Sequence, residues 1–503
     1  MSESLYPLLQ HAADRHGHCP AIRFADRTLT YRQLLDAADR AARALAERGA
    51  APGVRVALSF TKSIDAIVVL FGIIRAGATY VPIDPAWPAE RAAMIAEDAD
   101  IQIWTASQLP AGLPPSRPCF AGRAANGATP IAEMLSGPPA VGDPLAPRDG
   151  LANVLFTSGS TGRPKGVQIT TRSLLHFSEW SVRQFALTAA DVLSNHAPYN
   201  FDLSTFDIFA AVRAGAAMIP VPERIKMFPY QMAKFIADQR ISVWYSVPSA
   251  LVMMQLRGRL GAHDLSRLRH VIFAGEAMPK AALKAIAAEL PRPVLTNLYG
   301  PTETNVCTHH RVTADDLADD APLPIGRPIT DTRVWIVDDG MRPVPPGKSG
   351  ELLVAGPTVT SGYLGDADLT ASRLVPAPQG GVIAYRTGDR ARARSDGVLL
   401  FEGRIDRMIK CRGHRIEPGE VEAALAKHPV VAEAAVVPCA DPVFGNRLRA
   451  CIAARDGGDI AEAELIAFCR ARLPAYMLPD EWKFYDALPR TDREKIDLRA
   501  LMR

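Results

Sequence analysis

Thr157-Ser-Gly-Ser-Thr-Gly-Arg-Pro-Lys-Gly166 packs three glycines, four hydroxyl side chains and two cations into ten positions. The apolar run Leu151 to Phe156 precedes it and reads as a strand, so the glycines fall on the loop that follows. Glycine lets a backbone curl closely around an anion and aim its N–H groups inward. The hydroxyls add donors, and Lys165 adds a compact charge suited to phosphate. The stretch is therefore read as a loop that grips a polyphosphate, with Thr157, Ser158, Gly159, Ser160, Thr161, Gly162 and Lys165 as its contact residues. It is not a Walker A loop, because Lys165 is followed by Gly166 rather than by Ser or Thr. Taken alone, a polar turn without a ligand is the plain alternative.

The sequence before this loop alternates between two periodicities. Residues 30 to 48 carry apolar side chains at helical spacing, with Thr30 as N-cap and Gly49 as stop. Val54 to Phe60 reads as a strand, Ile64 to Ala76 as a helix, and Ala78 to Ile83 as another strand. Such alternation predicts an α/β fold with a largely parallel sheet. The most apolar run, Ala66 to Ile83, is interrupted by Arg75 and Pro82, so it is expected to be buried core rather than a membrane span. Residues 106 to 149 are rich in Pro, Gly, Ala and Ser and read as a long surface connection.

A length of 503 residues suits two or more domains. Apolar residues make up 48% and charged residues 22%, and the net charge of +3 gives no reason to expect nucleic acid or an anionic membrane as partner. The seven cysteines are scattered without a CxxC pair, which argues against a zinc site or a disulfide framework and for a reducing cytoplasm. The N-terminal residues show no signal-peptide pattern.

The ten-residue loop resembles the phosphate loop of the adenylate-forming superfamily of acyl- and aryl-CoA ligases, luciferases and amino-acid adenylation domains. Further segments match that superfamily in the same order. Val271 to Ala277 is a strand turning at Gly275, and in the family this segment, with Glu276, backs the adenine. Asn297-Leu-Tyr-Gly-Pro-Thr-Glu-Thr304 follows. There Tyr299 offers a flat face to a purine, Thr302 a donor to phosphate, and Glu303 a hard oxygen ligand for Mg²⁺. The resemblance adds Asn297, Leu298 and Gly300 to the nucleotide site. Asp389, in Tyr385-Arg-Thr-Gly-Asp389, can accept from two vicinal ribose hydroxyls. Gly403 to Gly413 resembles the superfamily hinge, with Asp406 as pivot and Arg404 on the nucleotide. The closing motif, Leu488 to Asp497, keeps Pro489, Lys495 and Asp497 in register but has Glu494 where the family has glycine. The resemblance implies an α/β protein with a large N-terminal domain, residues 1–405, of mixed, largely parallel sheets and helices. A small mobile C-terminal α+β domain, residues 406–503, would complete it.

Asp202 decides the substrate class. It stands within the aromatic and apolar run Asn195 to Phe209, and a carboxylate there needs a cationic or donor partner. Helix N-capping is the alternative reading. In amino-acid adenylation domains the similar FDxS segment sets an Asp against the substrate α-ammonium. The register then implies a pocket of Asp202, Leu203, Phe206, Tyr245, Ile272, Ala274, Leu298, Val306 and Cys307, closed by Lys495. Its lining is apolar apart from the charged ends and Tyr245, which suits a small or medium apolar side chain. This set resembles that of stand-alone L-prolyl-AMP ligases, which load proline for pyrrole formation. The segment around Asp202 is also similar to D-alanine–carrier protein ligases.

The implied reaction uses ATP and Mg²⁺. The substrate carboxylate attacks the α-phosphorus, with Thr157, Glu303 and Lys495 as catalytic contacts. A thiol then takes the acyl group, expected on the phosphopantetheine of a separate carrier protein. Because Lys495 lies beyond the hinge, the small domain can withdraw it and bring in the Lys410 to Gly413 face. An acyl- or aryl-CoA ligase is the rival reading, and Asp202 argues against it.

Overall fold

Thr30 starts the first long helix through its own chemistry. Its hydroxyl accepts the Gln33 N–H, and the Gln33 side chain returns to the Thr30 N–H, closing a capping box around Tyr31–Ala46. That helix packs on the almost wholly buried helix Ile64–Arg75. In a computed structural model, residues 4–109, 118–122, 128–159, 162–290, 293–441, 445–455, 461–491 and 495–502 are described. Ser160, Thr161 and Glu494 lie outside the described residues.

Two large sheets carry the N-terminal part. In the first, Arg55–Ser59 lies between Thr79–Pro82 and Ile103–Ala106, all parallel. Leu151–Thr157 continues the sheet beside Thr79–Pro82 and turns back antiparallel as Lys165–Thr170. The phosphate-type loop is thus the connection of a hairpin at a strand's carboxyl end. In the second sheet Val243–Ser246, His270–Phe273 and Val294–Tyr299 run parallel, so their carboxyl ends open on one side. Ligands in open α/β sheets gather at such ends. A five-stranded sheet built on Ser349–Ala355 and Ile383–Ala393 follows.

The smaller C-terminal domain holds a three-stranded sheet, Val431–Asp441, Gly445–Ala454 and Glu481–Tyr485, with helices Pro418–Leu425 and Glu462–Arg470. Val421, Leu425, Leu448, Ile452, Leu465 and Met477 form its core. The hairpin Ile409–Cys411 with His414–Ile416 belongs to it, packing Ile409, Cys411 and Ile416 into the same core.

The strands and helices expected between residues 30 and 83 all form, within two residues of their expected ends. The stretch 106 to 149 departs from its reading as a surface connection. Cys119–Ala121 and Thr129–Pro130 extend the first sheet, and Ile131–Met134 is a helix with Ile131 and Met134 buried. Short buried apolar pieces between prolines and glycines are enough to add strands to an edge. Among the described residues, no helix is long and apolar enough to cross a membrane.

The contact between the two long helices depends on one glycine. A Cβ on Gly72 would stand 2.6 Å from the Ala41 Cβ and 3.2 Å from the Ala42 nitrogen. Gly72→Val should therefore cost ~1–3 kcal/mol through overpacking. Thermal unfolding checks this, and a midpoint equal to that of the parent chain would refute the close approach.

Candidate active site

The carboxyl ends of the two sheets converge on one pocket. Its walls come from Phe156 to Ser158, Phe201 to Leu203, Tyr245, Ala274, Gly275, Gly300 to Thr302 and Val306. Asp389 and Arg404 close one side, and Met408, Lys410, Gly413 to Arg415 and Tyr476 close the other.

Asp202 stands just ahead of a local irregularity. It precedes the short helix Leu203–Thr205, which runs into a π-helical turn, Phe206–Ala210. Such single π turns re-aim side chains and recur at functional sites. The Asp202 carbonyl accepts the Thr205 N–H at 2.9 Å and its hydroxyl at 2.6 Å, while the carboxylate makes no helix-capping bond. That disposes of the capping alternative. Burial pushes its pKa up to about 6 against the opposing Thr302 hydroxyl and Leu203 N–H, because the site is enclosed by protein although it opens on the pocket.

Leu203, Tyr245, Ala274 and Val306 line the pocket with it. Phe206, Ile272, Leu298 and Cys307 are buried behind that wall. Phe206 meets Tyr245 edge to face, with centroids 5.2 Å apart and planes at 75°. Beneath them Asp207 is buried, receiving the Asn195 amide at 3.2 Å, and Asn195 in turn accepts the Lys62 ammonium at 2.6 Å. Asp207 thus belongs to a polar network under the pocket.

Of the nucleotide candidates, Thr157, Ser158, Gly275, Gly300, Thr302, Asp389 and Arg404 line the pocket. Asp389 is fully buried, takes the Tyr299 hydroxyl, and pairs with Arg404 Nη1 at 2.6 Å. Arg404 Nε also donates to Asp406 at 2.8 Å, so one guanidinium joins the two carboxylates. Glu276 accepts the Ser249 N–H at 3.2 Å, and the Asn297 amide donates to the Pro324 carbonyl at 2.8 Å, so both side chains are occupied beside the pocket. Gly162 faces Ala423 of the small domain.

Glu303 is wholly buried (0% exposed) behind the pocket wall. Arg415 Nη1 donates to both of its oxygens, at 2.9 and 3.0 Å, and the Tyr363 hydroxyl donates at 2.7 Å. Burial alone would raise its pKa, but Arg415 and Lys165 outweigh that and hold it at about 2. Lys165 is pushed down to about 8 by burial and by Arg415, against Glu303 and Glu417. The Glu303 carboxylate offers hard oxygens, and the buried Thr157 hydroxyl has no partner among the described residues. No cluster of three metal-ligating side chains occurs among those residues. This donor set fits Mg²⁺, which takes one or two carboxylates and completes its shell with substrate phosphates and water.

Lys495 is exposed and does not line the pocket. It sits beside the bridge between Arg490 and Ile496, where its carbonyl accepts the Thr491 N–H at 2.7 Å. The small domain presents its hairpin instead. His414 stacks on Tyr476 at 3.8 Å and meets Phe201 edge to face at 5.0 Å. Burial pushes His414 down to about 4, which keeps the ring neutral at pH 7. Arg415, Glu417, Glu420 and Arg91 also belong to this contact and were missed from sequence. The alternating charges of Arg415-Ile-Glu-Pro-Gly-Glu420 were the available signal.

Residues 9–364 match the AMP-binding enzyme family and residues 420–495 match the AMP-binding enzyme C-terminal domain. The chain belongs to the AMP-binding enzyme family. It is 37% identical over 512 residues to an L-proline–[L-prolyl-carrier protein] ligase of Pseudomonas fluorescens, covering 99% of both chains. Identity is 38% over 524 residues to a protein of the same name from Streptomyces coelicolor, covering 99% of this chain and 96% of that one. Among solved structures, the amide bond synthetase McbA from Marinactinospora thermotolerans superposes with a TM-score of 0.89 at 25% identity, over 99% of each chain.

The raised pKa of Asp202 gives a pH signature. Below about pH 6 the free site holds a neutral acid that cannot pair with an ammonium, so kcat/KM for an amine-bearing substrate should fall as pH drops through about 6. An exposed aspartate would give that inflection near ~4. A profile flat down to that value would remove Asp202 from cation binding.

Proposed function

We propose that this enzyme activates L-proline with ATP as prolyl-AMP and passes the acyl group to the phosphopantetheine thiol of a carrier protein. The observation that carries the reading is Asp202, a carboxylate on the wall of a pocket floored by Tyr245, Ala274 and Val306. A substrate ammonium supplies the cation that such a group demands, and a compact apolar ring fits the floor. Proline's secondary ammonium offers two N–H bonds, one of them to Asp202. The two curated relatives, each named as a proline–carrier protein ligase, support the choice of amino acid.

In the first half-reaction a carboxylate oxygen of proline attacks the α-phosphorus, and the bond to the departing pyrophosphate breaks. Crowding of anionic oxygens is the barrier. Glu303, with the Thr157 hydroxyl beside it, would hold Mg²⁺, which would supply neutralising charge there. Lys165 and the loop N–H groups hold the leaving phosphates. Asp389, oriented by Tyr299 and Arg404, receives the ribose hydroxyls. Lys495 bridges the proline carboxylate and the α-phosphate once the small domain swings about Asp406 at the 405/406 boundary. In the second half-reaction a thiolate sulfur attacks the acyl carbon and AMP leaves with the bonding electron pair. The hairpin Ile409–Cys411 with His414–Ile416 then faces the pocket in place of Lys495, a reading supported by Lys410 and Gly413 to Arg415 on the pocket wall.

ATP–pyrophosphate exchange across L-proline, D-proline, D-alanine, L-alanine and L-valine tests the assignment. L-Proline should dominate; a D-alanine signal would move the substrate to that amino acid, and silence with every amino acid would overturn amino-acid activation itself. Lys495→Ala should slow exchange by roughly 10²–10³-fold, the scale seen for a lost transition-state donor. The same variant should largely retain thioester formation from supplied prolyl-adenylate. Equal losses in both half-reactions would remove Lys495 from the adenylation step.

A further inference from the structure

One ammonium holds both ends of the segment that carries Asp202. Lys62 follows the strand Arg55–Ser59 of the first sheet and is 4% exposed. Its nitrogen donates to the Asn195 side-chain oxygen at 2.6 Å and to the Ala197 carbonyl, and it lies 4.0 Å from the centre of the Tyr199 ring. Asn195 ends the strand Val192–Asn195 of the second sheet, so the ammonium reaches from one sheet to the other. The Asn195 amide in turn donates to Asp207 at 3.2 Å. Asp207 sits in the π-helical turn Phe206–Ala210, and both it and Asn195 are buried. Burial drives the Lys62 pKa down and the Asp207 pKa up, and each group pulls the other back toward its charged form. The chain from Ala197 to Asp207 is therefore fixed at its entry by a carbonyl and at its far end by a carboxylate, with Asp202 and Phe206 between them.

We infer that Lys62, Asn195 and Asp207 are positioning residues for the amino-acid site, a charged clamp that sets where the Asp202 carboxylate stands. The inference rests on the reading of Asp202 as the partner of the substrate ammonium. None of the three lines the catalytic pocket, so they act through the backbone. From Asp207 the helical turn leads back to Asp202, whose carbonyl accepts the Thr205 N–H and hydroxyl, and Phe206 on the same turn backs Tyr245. A neutral side chain at position 62 would release Asn195 and Ala197 together. It would also leave Asp207 as a buried charge without a counter-charge, and the turn would shift to relieve it. A displacement of about 1 Å in a positioning group can cost on the order of 10²-fold in rate. Asp389 and Arg404, which serve the nucleotide, stand on strands of another sheet and make no contact with the clamp. Lys62 also lines a second cavity, of about 630 Å³, with Asp84, Trp87, Tyr199 and Glu223, the last of these half exposed. A small amine can therefore reach the place of the Lys62 nitrogen from outside the catalytic pocket.

ATP–pyrophosphate exchange by the full chain, with the preferred amino acid and ATP varied in turn, reads the clamp. Lys62→Ala should lower kcat/KM for the amino acid roughly 10–100-fold while leaving KM for ATP within about twofold of the parent value. Propylamine should restore most of that loss, because it returns an ammonium to the vacated place. 1-Propanol, of the same shape without the charge, should not. Asp207→Asn removes the charge at the other end with little change of shape and should give the same selective loss. The double variant should lose no more than the worse single one, since both act through one clamp. A merely structural role would lower kcat/KM for both substrates in step with the folded fraction, read by circular dichroism, and would overturn the inference. Unchanged amino-acid kinetics in Asp207→Asn, losses that multiply in the double variant, or rescue by propanol equal to that by propylamine would overturn it too. If Lys62→Ala does not fold, Asp207→Asn decides alone. Normal exchange by the parent chain and by both variants would remove the clamp and leave the proposed function standing. No exchange by the parent chain with any amino acid would overturn the reading of Asp202 and this inference together.

Discussion

Glu303 imposes the constraint around which this molecule is arranged. It is wholly buried, yet it remains a carboxylate because Arg415, Lys165 and the Tyr363 hydroxyl surround it. A charge in that position must have a counter-charge at every moment, since losing one partner of a buried pair costs on the order of 3–5 kcal/mol. Its neighbours are held to the same condition. The Lys165 ammonium is half-way to losing its proton at about pH 8, and Arg415 is held protonated by the very carboxylates it meets, despite its own burial. The phosphate-type loop is therefore one member of a charge set that spans both domains.

The sheets make that set possible. Three parallel strands of the second sheet end at Ser246, Phe273 and Tyr299, and the hairpin of the first sheet delivers Thr157 and Lys165 to the same side. Strand ends expose backbone groups that no ladder neighbour claims, which suits them to an anionic ligand. Gly275 illustrates the local cost: with φ of +98° it takes a conformation that only glycine adopts without strain, and it turns the chain away just where the pocket begins.

Much of this arrangement was legible from local sequence. The helix Tyr31–Ala46 announced itself through Thr30, and the strand Leu151–Thr157 through its apolar run ahead of glycines. Asp202 was legible because a carboxylate inside an apolar run has few explanations, and the structure does place it on the pocket wall. What escaped was non-local. Cys119–Ala121 and Thr129–Pro130 are three and two residues long, too short for a period of two to register. Arg91 and Glu420 are 329 positions apart, and neither has a neighbourhood that names the other. The division of the pocket set into a lining layer and a backing layer, with Phe206 and Ile272 in the second, follows from sheet packing and not from any motif.

Lys495 shows most clearly why a motif and a contact are different things. Its register with Pro489 and Asp497 is a property of the chain, and Asp497 does hold the last helix in place by accepting the Arg499 and Ala500 N–H groups at 3.0 and 3.1 Å. Whether Lys495 meets the pocket is instead a property of how the small domain is turned. The orientation seen here is fixed by contacts that involve other residues entirely: Arg415 on Glu303, Glu420 on Arg91, and His414 between Phe201 and Tyr476. Each of these joins a residue of the C-terminal domain to the large domain or to another part of the small one, and none uses the lysine. A second orientation that brought Lys495 inward would have to break all the inter-domain members of that set at once. It becomes accessible only if something else neutralises Glu303 and Lys165. Under the proposed function the ligand that takes Lys495 as a contact is a metal-bound polyphosphate, which carries charges of the signs that Glu303 and Lys165 require.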